Sequence, residues 1–249
     1  MKPLHILHVE AAAGWGGQEI RVFQETLLLL ERGYSVSLIC QADSPLEKKC
    51  GAVSNADFHF QSLLMKKMMN LSTFVALYRY VLKNNFDIIH THSSVDSWLG
   101  GLVGKLLRVP VVRTRHVSLP VKDFFPNHLL YSHIPQRILT SGNMISDIMK
   151  KIRCVNSSHV VSIPAGVDLR KFNSSISGQK IREELKVDSS QFLVGKIGVI
   201  RGWKGHNYFL EAIPLILKEI PQTRFVIVGD GPGFKEIESK IKIAGLDDR

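Results

Sequence analysis

Residues 6–33, ILHVEAAAGWGGQEIRVFQETLLLLERG, contain the pattern that decides the fold. Residues 6–11 form a short apolar run, which predicts a buried strand, and the glycine-rich residues 14–17 predict a turn. Residues 19–32 place apolar side chains at helical spacing, and Gly33 follows in the position expected of a helix C-cap. A strand, a glycine turn and an amphipathic helix in this order indicate a βα unit of a parallel sheet.

The same order recurs along the chain. Further apolar runs, which we predict as strands, occupy residues 35–40, 58–60, 87–90, 109–113, 137–140 and 160–163. Helical patterns separate most of them, which predicts a parallel sheet with helices on both faces. Residues 164–177 are turn-rich and suit a crossing between domains.

A second series of elements follows that crossing. It contains two apolar runs, residues 192–198 and 224–229, and three helical patterns, residues 178–185, 206–220 and 233–244. We predict an α/β fold with two Rossmann-like domains, residues 1–165 and residues 166–249. Because two strands make a poor parallel sheet, we expect the second domain to be incomplete and further sequence to follow Arg249.

Composition limits the class of protein and its partners. The net charge of +10 favours anionic partners: nucleic acid, acidic lipid or phosphorylated small molecules. Because no nucleic-acid-binding motif is evident, we expect no nucleic-acid partner. Neither a signal peptide nor a membrane-spanning run is evident, so we expect a cytoplasmic protein. The segment 63–69, LLMKKMM, is either a basic–apolar surface for an anionic membrane or an ordinary loop.

Histidines and bases follow two of the predicted strands, at the sheet edge where open α/β sheets bind ligands. His90 and His92 are spaced so that both can face one side. A metal would need a third ligand, and none is evident in the sequence nearby, so we predict that these histidines line a crevice. Arg113, Arg115 and His116 follow the next strand and predict a cationic crevice for a phosphorylated ligand, with a solvated basic face as the alternative.

Two glycine-containing turns are candidate anion sites. Gly16 and Gly17 precede a helix, where free amides attract an anion, although a tight turn explains them equally well. Arg201, Lys204 and Gly205 also precede a helix. A forked donor, a point charge and backbone amides suit a diphosphate, while two exposed bases in a loop are the simpler alternative.

Six motifs in order make the sequence resemble the retaining GT-B glycosyltransferases, in particular those that build bacterial lipopolysaccharide and other cell-surface glycans. The motifs are GWGGQE at 14–19, DIIHTH at 87–92, RTRH at 113–116, IPAGVD at 163–168 with Phe172, RGWKG at 201–205 and VIVGDGP at 226–232. The resemblance implies two domains facing a cleft, with the nucleotide sugar on the C-terminal domain and the acceptor on the N-terminal domain. It implies a transferase that needs neither metal nor cofactor.

The resemblance also implies roles for individual residues. Arg201 and Lys204 would grip the donor diphosphate beside Gly205 and stabilise the departing nucleotide, with His116 in the donor-sugar pocket as the third catalytic residue. Gly16 and Gly17 would lie near the phosphates. Glu19, Arg113 and Arg115 would lie on the acceptor side.

One motif of these enzymes, Glu-x7-Glu, has no match in its usual context. Glu211 and Glu219 have the spacing, but they lie on the helix directly after the 201–205 loop, where a solvated face explains them. We expect the true pair beyond Arg249.

The partners implied are a nucleotide sugar and a glycan or lipid-linked acceptor, the latter placing the protein at the inner face of the plasma membrane. Two alternatives stay open: a sugar-nucleotide epimerase on the same fold, and a truncated, non-catalytic remnant.

Overall fold

The computed structural model describes residues 3–65, 70–122 and 124–248. The chain divides into two compact units, Met1–Gly166 (unit 1) and Val167–Arg249 (unit 2). None of the helices described is long and apolar enough to cross a bilayer. Of the basic–apolar segment 63–69, residues 66–69 lie outside the described residues, so its membrane role stays a prediction.

Unit 1 alternates strands and helices. Its strands are β1 His5–Glu10, β2 Ser35–Gln41, β3 Phe58–Leu63, β4 Ile88–Thr91, β5 Val111–Arg115, β6 Arg137–Thr140 and β7 Val160–Ser162. Its α-helices are α1 Gly17–Glu31, α2 Pro45–Gly51, α3 Leu71–Asn84, α4 Ser94–Leu107, α5 Phe125–His128 and α6 Asn143–Lys150. A π-helical turn, Leu129–His133, continues α5, and a 3₁₀ turn, Ser157–His159, precedes β7.

The seven strands form one parallel sheet in the order β3-β2-β1-β4-β5-β6-β7, which confirms the predicted α/β class. The direction of strand addition reverses between β1 and β4. In open α/β sheets such a reversal leaves a crevice beyond the carboxyl ends of the strands, because the connecting helices leave the sheet on opposite faces.

The strand side chains alternate between two apolar clusters. From β2, Ile39 packs into the cluster with α3 and α4, whereas Val36 and Leu38 pack into the cluster with α1 and α2. Helices therefore cover both faces, which explains why the strands direct apolar side chains to both sides of the sheet.

Helix α4 packs very closely against the sheet and against the residue after the π-helical turn because three of its residues are glycines. A Cβ at Gly104 would approach Val111 Cγ2 to 2.5 Å, and one at Gly101 would approach Ile134 Cγ2 to 2.6 Å. This close packing brings the N-terminus of α4 against the carboxyl ends of β1 and β4.

Two local features differ from the sequence-based expectation. The short helix α2 was not predicted; Ser44 caps it by accepting from the amide of Glu47, and Pro45 opens it. The helix predicted at residues 127–133 begins earlier and ends in the π turn.

Unit 2 contains β8 Phe192–Ile197 and β9 Thr223–Val228, paired in parallel, with α7 Gln179–Glu184, α8 His206–Glu219 and α9 Phe234–Ile243. A 3₁₀ turn, Gly202–Lys204, lies between β8 and α8. The described sheet of unit 2 has the two strands that the sequence predicted.

Candidate functional site

Four histidines meet at the carboxyl edge of the unit 1 sheet. His8 lies in β1 and is in register with His90 in β4, while His92 and His116 are the first residues after β4 and β5. His8 is fully buried, His90 and His92 are nearly so, and His116 is half-buried. Adjacent parallel strands bring these residues together although they come from three separate parts of the chain.

Three of the rings form a linear series of hydrogen bonds. His8 Nδ1 lies 3.0 Å from His92 Nε2, and His92 Nδ1 lies 3.3 Å from His116 Nε2. The other nitrogen of His8, Nε2, is buried without a partner among the described residues. The series therefore runs from a closed end at His8 to a half-exposed end at His116.

The ring of His90 packs against that of His92 at a tilt, but its nitrogens bond to other residues. Its Nε2 lies 2.7 Å from Thr114 Oγ1, and its Nδ1 lies 3.3 Å from Glu25 Oε1 on α1. Burial acts to raise the pKa of Glu25, but its hydrogen bond and electrostatic interaction with His90 outweigh burial and hold the pKa of Glu25 at about 2. A half-buried carboxylate therefore lies beside His90.

Burial keeps the histidine series neutral. It lowers the pKa of His8 to about 3 and that of His116 to about 4, because a buried imidazolium loses its hydration. The pKa of His92 is lowered well below its ordinary value for the same reason. At neutral pH these rings can donate or accept hydrogen bonds, but they do not supply positive charge.

The expectation that no third metal ligand lies near His90 and His92 is wrong. His8 supplies one, and the candidate ligand atoms of the three residues lie within 4.8 Å of one another. The sequence could not reveal this, since His8 is 84 residues from His92. Every ring nitrogen of the three except His8 Nε2 already has a polar partner, so a metal would have to displace existing bonds.

The glycine loop, residues 14–17, forms the N-terminal cap of α1. Gly16 is the N-cap of α1 and Gly17 the first helical residue. The carboxylate of Glu19 accepts the amide of Gly16 at 2.7 Å and is itself buried. Glu19 thus supplies one half of a capping box, the bond from its side chain to the N-cap amide, which shapes the loop and uses the Gly16 amide. The acceptor-side role of Glu19 stays a prediction.

A pair of buried acids, Glu10 and Asp96, was missed by the sequence analysis. Asp96 accepts from the amides of Ala11, His92 and Ser93, and so holds the ends of β1 and β4 together. Burial, aided by the charge of Asp96, raises the pKa of Glu10 to about 8. The Ser93-x-x-Asp96 capping box was a sequence signal for Asp96.

Arg113 is turned into unit 1 instead of lining an open crevice. It is buried, its Nη2 donates to the Tyr131 hydroxyl at 3.0 Å, and its guanidinium lies 4.0 Å from the centre of that ring. Arg115 is half-buried, donates to the same hydroxyl at 2.6 Å and also binds the carbonyl of Leu119. Both arginines therefore position Tyr131 and the loop after β5, and contact of Arg113 with a ligand would require its release.

In unit 2 the 201–205 loop carries two unpaired cations. Arg201 and Lys204 are exposed, and neither side chain has a hydrogen bond or ion pair with another residue that the structure describes; Arg201 stacks 5.5 Å from Trp203. Gly205 has φ of +74°, a left-handed conformation that favours glycine, and directly precedes α8. Two cations and the N-terminus of a helix of 14 residues can together bind an anion.

Two family models match the chain. "Glycosyltransferase Family 4" matches residues 15–171, and "Glycosyl transferases group 1" matches residues 177–249. The chain belongs to glycosyltransferase family 4. The predicted resemblance to the GT-B glycosyltransferases is thereby confirmed.

Two relatives illustrate the range of this family. The chain is 31% identical to the Escherichia coli UDP-Gal:alpha-D-GlcNAc-diphosphoundecaprenol alpha-1,3-galactosyltransferase, over 93% of this chain and 64% of that protein. It is 26% identical to the alpha-monoglucosyldiacylglycerol synthase of Acholeplasma laidlawii, over 67% of this chain and 47% of that protein. This glycosyltransferase chain thus spans less than two thirds of the length of these relatives.

Solved structures support the fold. A glycosyltransferase from Rickettsia africae superimposes with a TM-score of 0.81 at 20% identity, over 99% of this chain and 66% of that chain. Anabaena HepE in complex with UDP-glucose superimposes with a TM-score of 0.75 at 17% identity, over 99% of this chain and 67% of that chain.

Proposed function

We propose that the whole protein transfers a sugar from a nucleotide-sugar donor to a glycan or lipid-linked glycan acceptor, with retention of configuration, in the synthesis of a cell-envelope polysaccharide. The observation that carries this proposal is the 201–205 loop of a family 4 chain, in which Arg201 and Lys204 precede a helix and their side chains have no hydrogen bond or ion pair with a residue that the structure describes. Such a loop suits the diphosphate of a nucleotide sugar.

The loop chemistry explains both binding and departure of the nucleotide. Arg201 supplies a forked donor, Lys204 a point charge, and the start of α8 its free amides. These groups neutralise the diphosphate in the bound donor and stabilise the additional charge that develops as the sugar leaves. Because the cations are the protein's own, we propose that the reaction needs neither metal nor cofactor.

Unit 1 holds the other residues to which we assign a role. We assign His116 to the donor sugar as a neutral hydrogen-bonding group, and Gly16 and Gly17 to the loop near the phosphates. Arg115 and Glu19 are the acceptor-side candidates. Each also bonds to the backbone of a loop, Arg115 to the loop after β5 and Glu19 to the glycine loop before α1.

The names of relatives support a nucleotide-sugar donor and a lipid-linked acceptor. The Escherichia coli relative is named for UDP-Gal and a diphosphoundecaprenol acceptor, and the Acholeplasma relative for a diacylglycerol lipid. A lipid-linked acceptor would bring the protein to the inner face of the plasma membrane as a peripheral protein.

UDP binding to the purified chain tests the loop. Chemical-shift titration detects weak binding and suits wild type, Arg201→Ala and Lys204→Ala, with Lys218→Ala in the last turn of α8 as the control. Lys218→Ala also removes one positive charge, but at the C-terminal end of α8, far along the helix from the loop. Each loop substitution should weaken binding by about tenfold or more, since a hydrogen bond to a charged group contributes about 1.5–3 kcal/mol.

Equal effects of the three substitutions would reduce the loop to general charge attraction and overturn the assignment. Product analysis on the full-length protein separates the alternatives. A transferase yields a glycosylated acceptor of the donor's anomeric configuration, an epimerase yields a changed sugar nucleotide, and a non-catalytic remnant yields neither.

A further inference from the structure

We propose that His8, His92 and His116 form a directional chain of hydrogen bonds that holds all three imidazoles in the Nδ1–H form, so that His116 presents a fixed N–H donor at the edge of the sheet. These three residues form the histidine chain. His8 and His92 are positioning residues, because they act on His116 and not on a ligand.

The geometry links the three rings without a gap. His92 uses both nitrogens, one for His8 at 3.0 Å and one for His116 at 3.3 Å. A neutral imidazole has one donor and one acceptor, so the direction of one bond fixes the direction of the other. Only two states of the chain satisfy both bonds: all three protons on Nδ1, or all three on Nε2.

Burial excludes an additional proton from the histidine chain. His8 is fully buried, His92 is 3% exposed, and burial lowers the pKa of all three histidines far enough to leave them neutral at pH 7. The cation of Arg21 on α1 acts in the same direction on His92 and His116. The two-state description therefore applies at physiological pH.

The closed end at His8 selects one of the two states. His8 Nε2 is buried and has no partner within the described residues. If it carried the proton, a buried N–H would be left without an acceptor, which is the rarer and costlier defect in proteins. The proton therefore lies on His8 Nδ1 and points to His92 Nε2. His92 in turn donates from Nδ1 to His116 Nε2.

The open end at His116 then has a defined chemistry. Its Nε2 accepts from His92, so Nδ1 carries the proton, and this Nδ1 has no hydrogen bond to any residue of the described ranges. His116 is thus a fixed donor for an oxygen atom and not a general base. The identity of that oxygen, a hydroxyl of the donor sugar, rests on the proposed function.

Long-range ¹H–¹⁵N spectra of protein labelled in its histidines report the tautomer of each ring. We expect Nδ1–H for His8, His92 and His116 in the wild-type chain without ligand, whereas a free neutral imidazole prefers Nε2–H. An Nε2–H form at any of the three positions in the folded wild type would overturn the proposal. This result needs neither activity nor a folded variant.

A substitution tests whether the histidine chain sets the tautomer of His116. His92→Phe keeps a ring but removes both nitrogens, so His116 should change to the Nε2–H form. The control is exposed His59 on β3, whose signals should not move. An unchanged Nδ1–H signal for His116 in folded His92→Phe would show that His92 does not position it.

Ligand titration separates this proposal from the proposed function. UDP-glucose and UDP-galactose should shift the Nδ1–H signal of His116, whereas UDP should not, because UDP has no sugar hydroxyl at that site. If the tautomers are as expected but neither sugar nucleotide shifts His116, the histidine chain stands and the donor-pocket role of His116 fails.

Discussion

Replacing His8 with glutamine should make unit 1 less sensitive to acid. The pKa of His8 is about 3 in the folded protein against an ordinary value of 6.5, because burial penalises the imidazolium. As pH falls below 6.5 the unfolded chain takes up a proton at His8 that the folded chain refuses, so stability is lost towards low pH. Between about pH 7.5 and about pH 5.5 this loss is about 1.4 kcal/mol for His8 alone.

The assay is urea unfolding at the two pH values, followed by circular dichroism and by the fluorescence of half-buried Trp98. His8→Gln should lower the free energy of unfolding at both, because it disturbs a buried site. Its loss between the two pH values should nevertheless be smaller than that of wild type by about 1.4 kcal/mol, a factor of ten in the unfolding equilibrium. The exposed control His59→Gln should follow wild type. Identical pH dependence in wild type and His8→Gln would refute the reasoning.

Two further substitutions test the packing and the buried acids of unit 1. Gly101→Ala should lower the free energy of unfolding in urea by about 1–3 kcal/mol, because the added Cβ would lie 2.6 Å from Ile134 Cγ2. An unchanged free energy of unfolding would show that α4 moves freely away from the π turn. The raised pKa of Glu10 means that ionising this residue is unfavourable in the folded protein, so wild type loses stability as pH rises from about 5 to about 8. Glu10→Gln lacks this ionisation, so its free energy of unfolding should increase relative to that of wild type by about 1 kcal/mol per pH unit over this range. A pH-independent difference between Glu10→Gln and wild type would contradict the raised pKa.

Much of the architecture was predictable because it depends on local pattern. Short apolar runs between helical patterns or turns predicted β1, β4, β8 and β9 to within a residue or two of their bounds. Helix α2 escaped prediction since it is a single short helix with a local cap and no clear apolar period.

The site was predictable only in part. The sequence singled out His90, His92 and His116, because each lies at or just after the end of a predicted strand. It did not find His8 or Glu10, which look like interruptions of an apolar strand, and it assigned Arg113 to an open crevice.

The sequence by itself determined the alternation of strands and helices, the glycine turns and the presence of two cations in the 201–205 loop, because all of these depend on residues close together in the chain. Tertiary structure alone decided which polar groups meet. Parallel register places His8 beside His90. The close approach of α4 brings Asp96 to the end of β1. Such contacts join residues more than 80 positions apart, and burial on both faces of the sheet then sets their protonation, which no local pattern encodes.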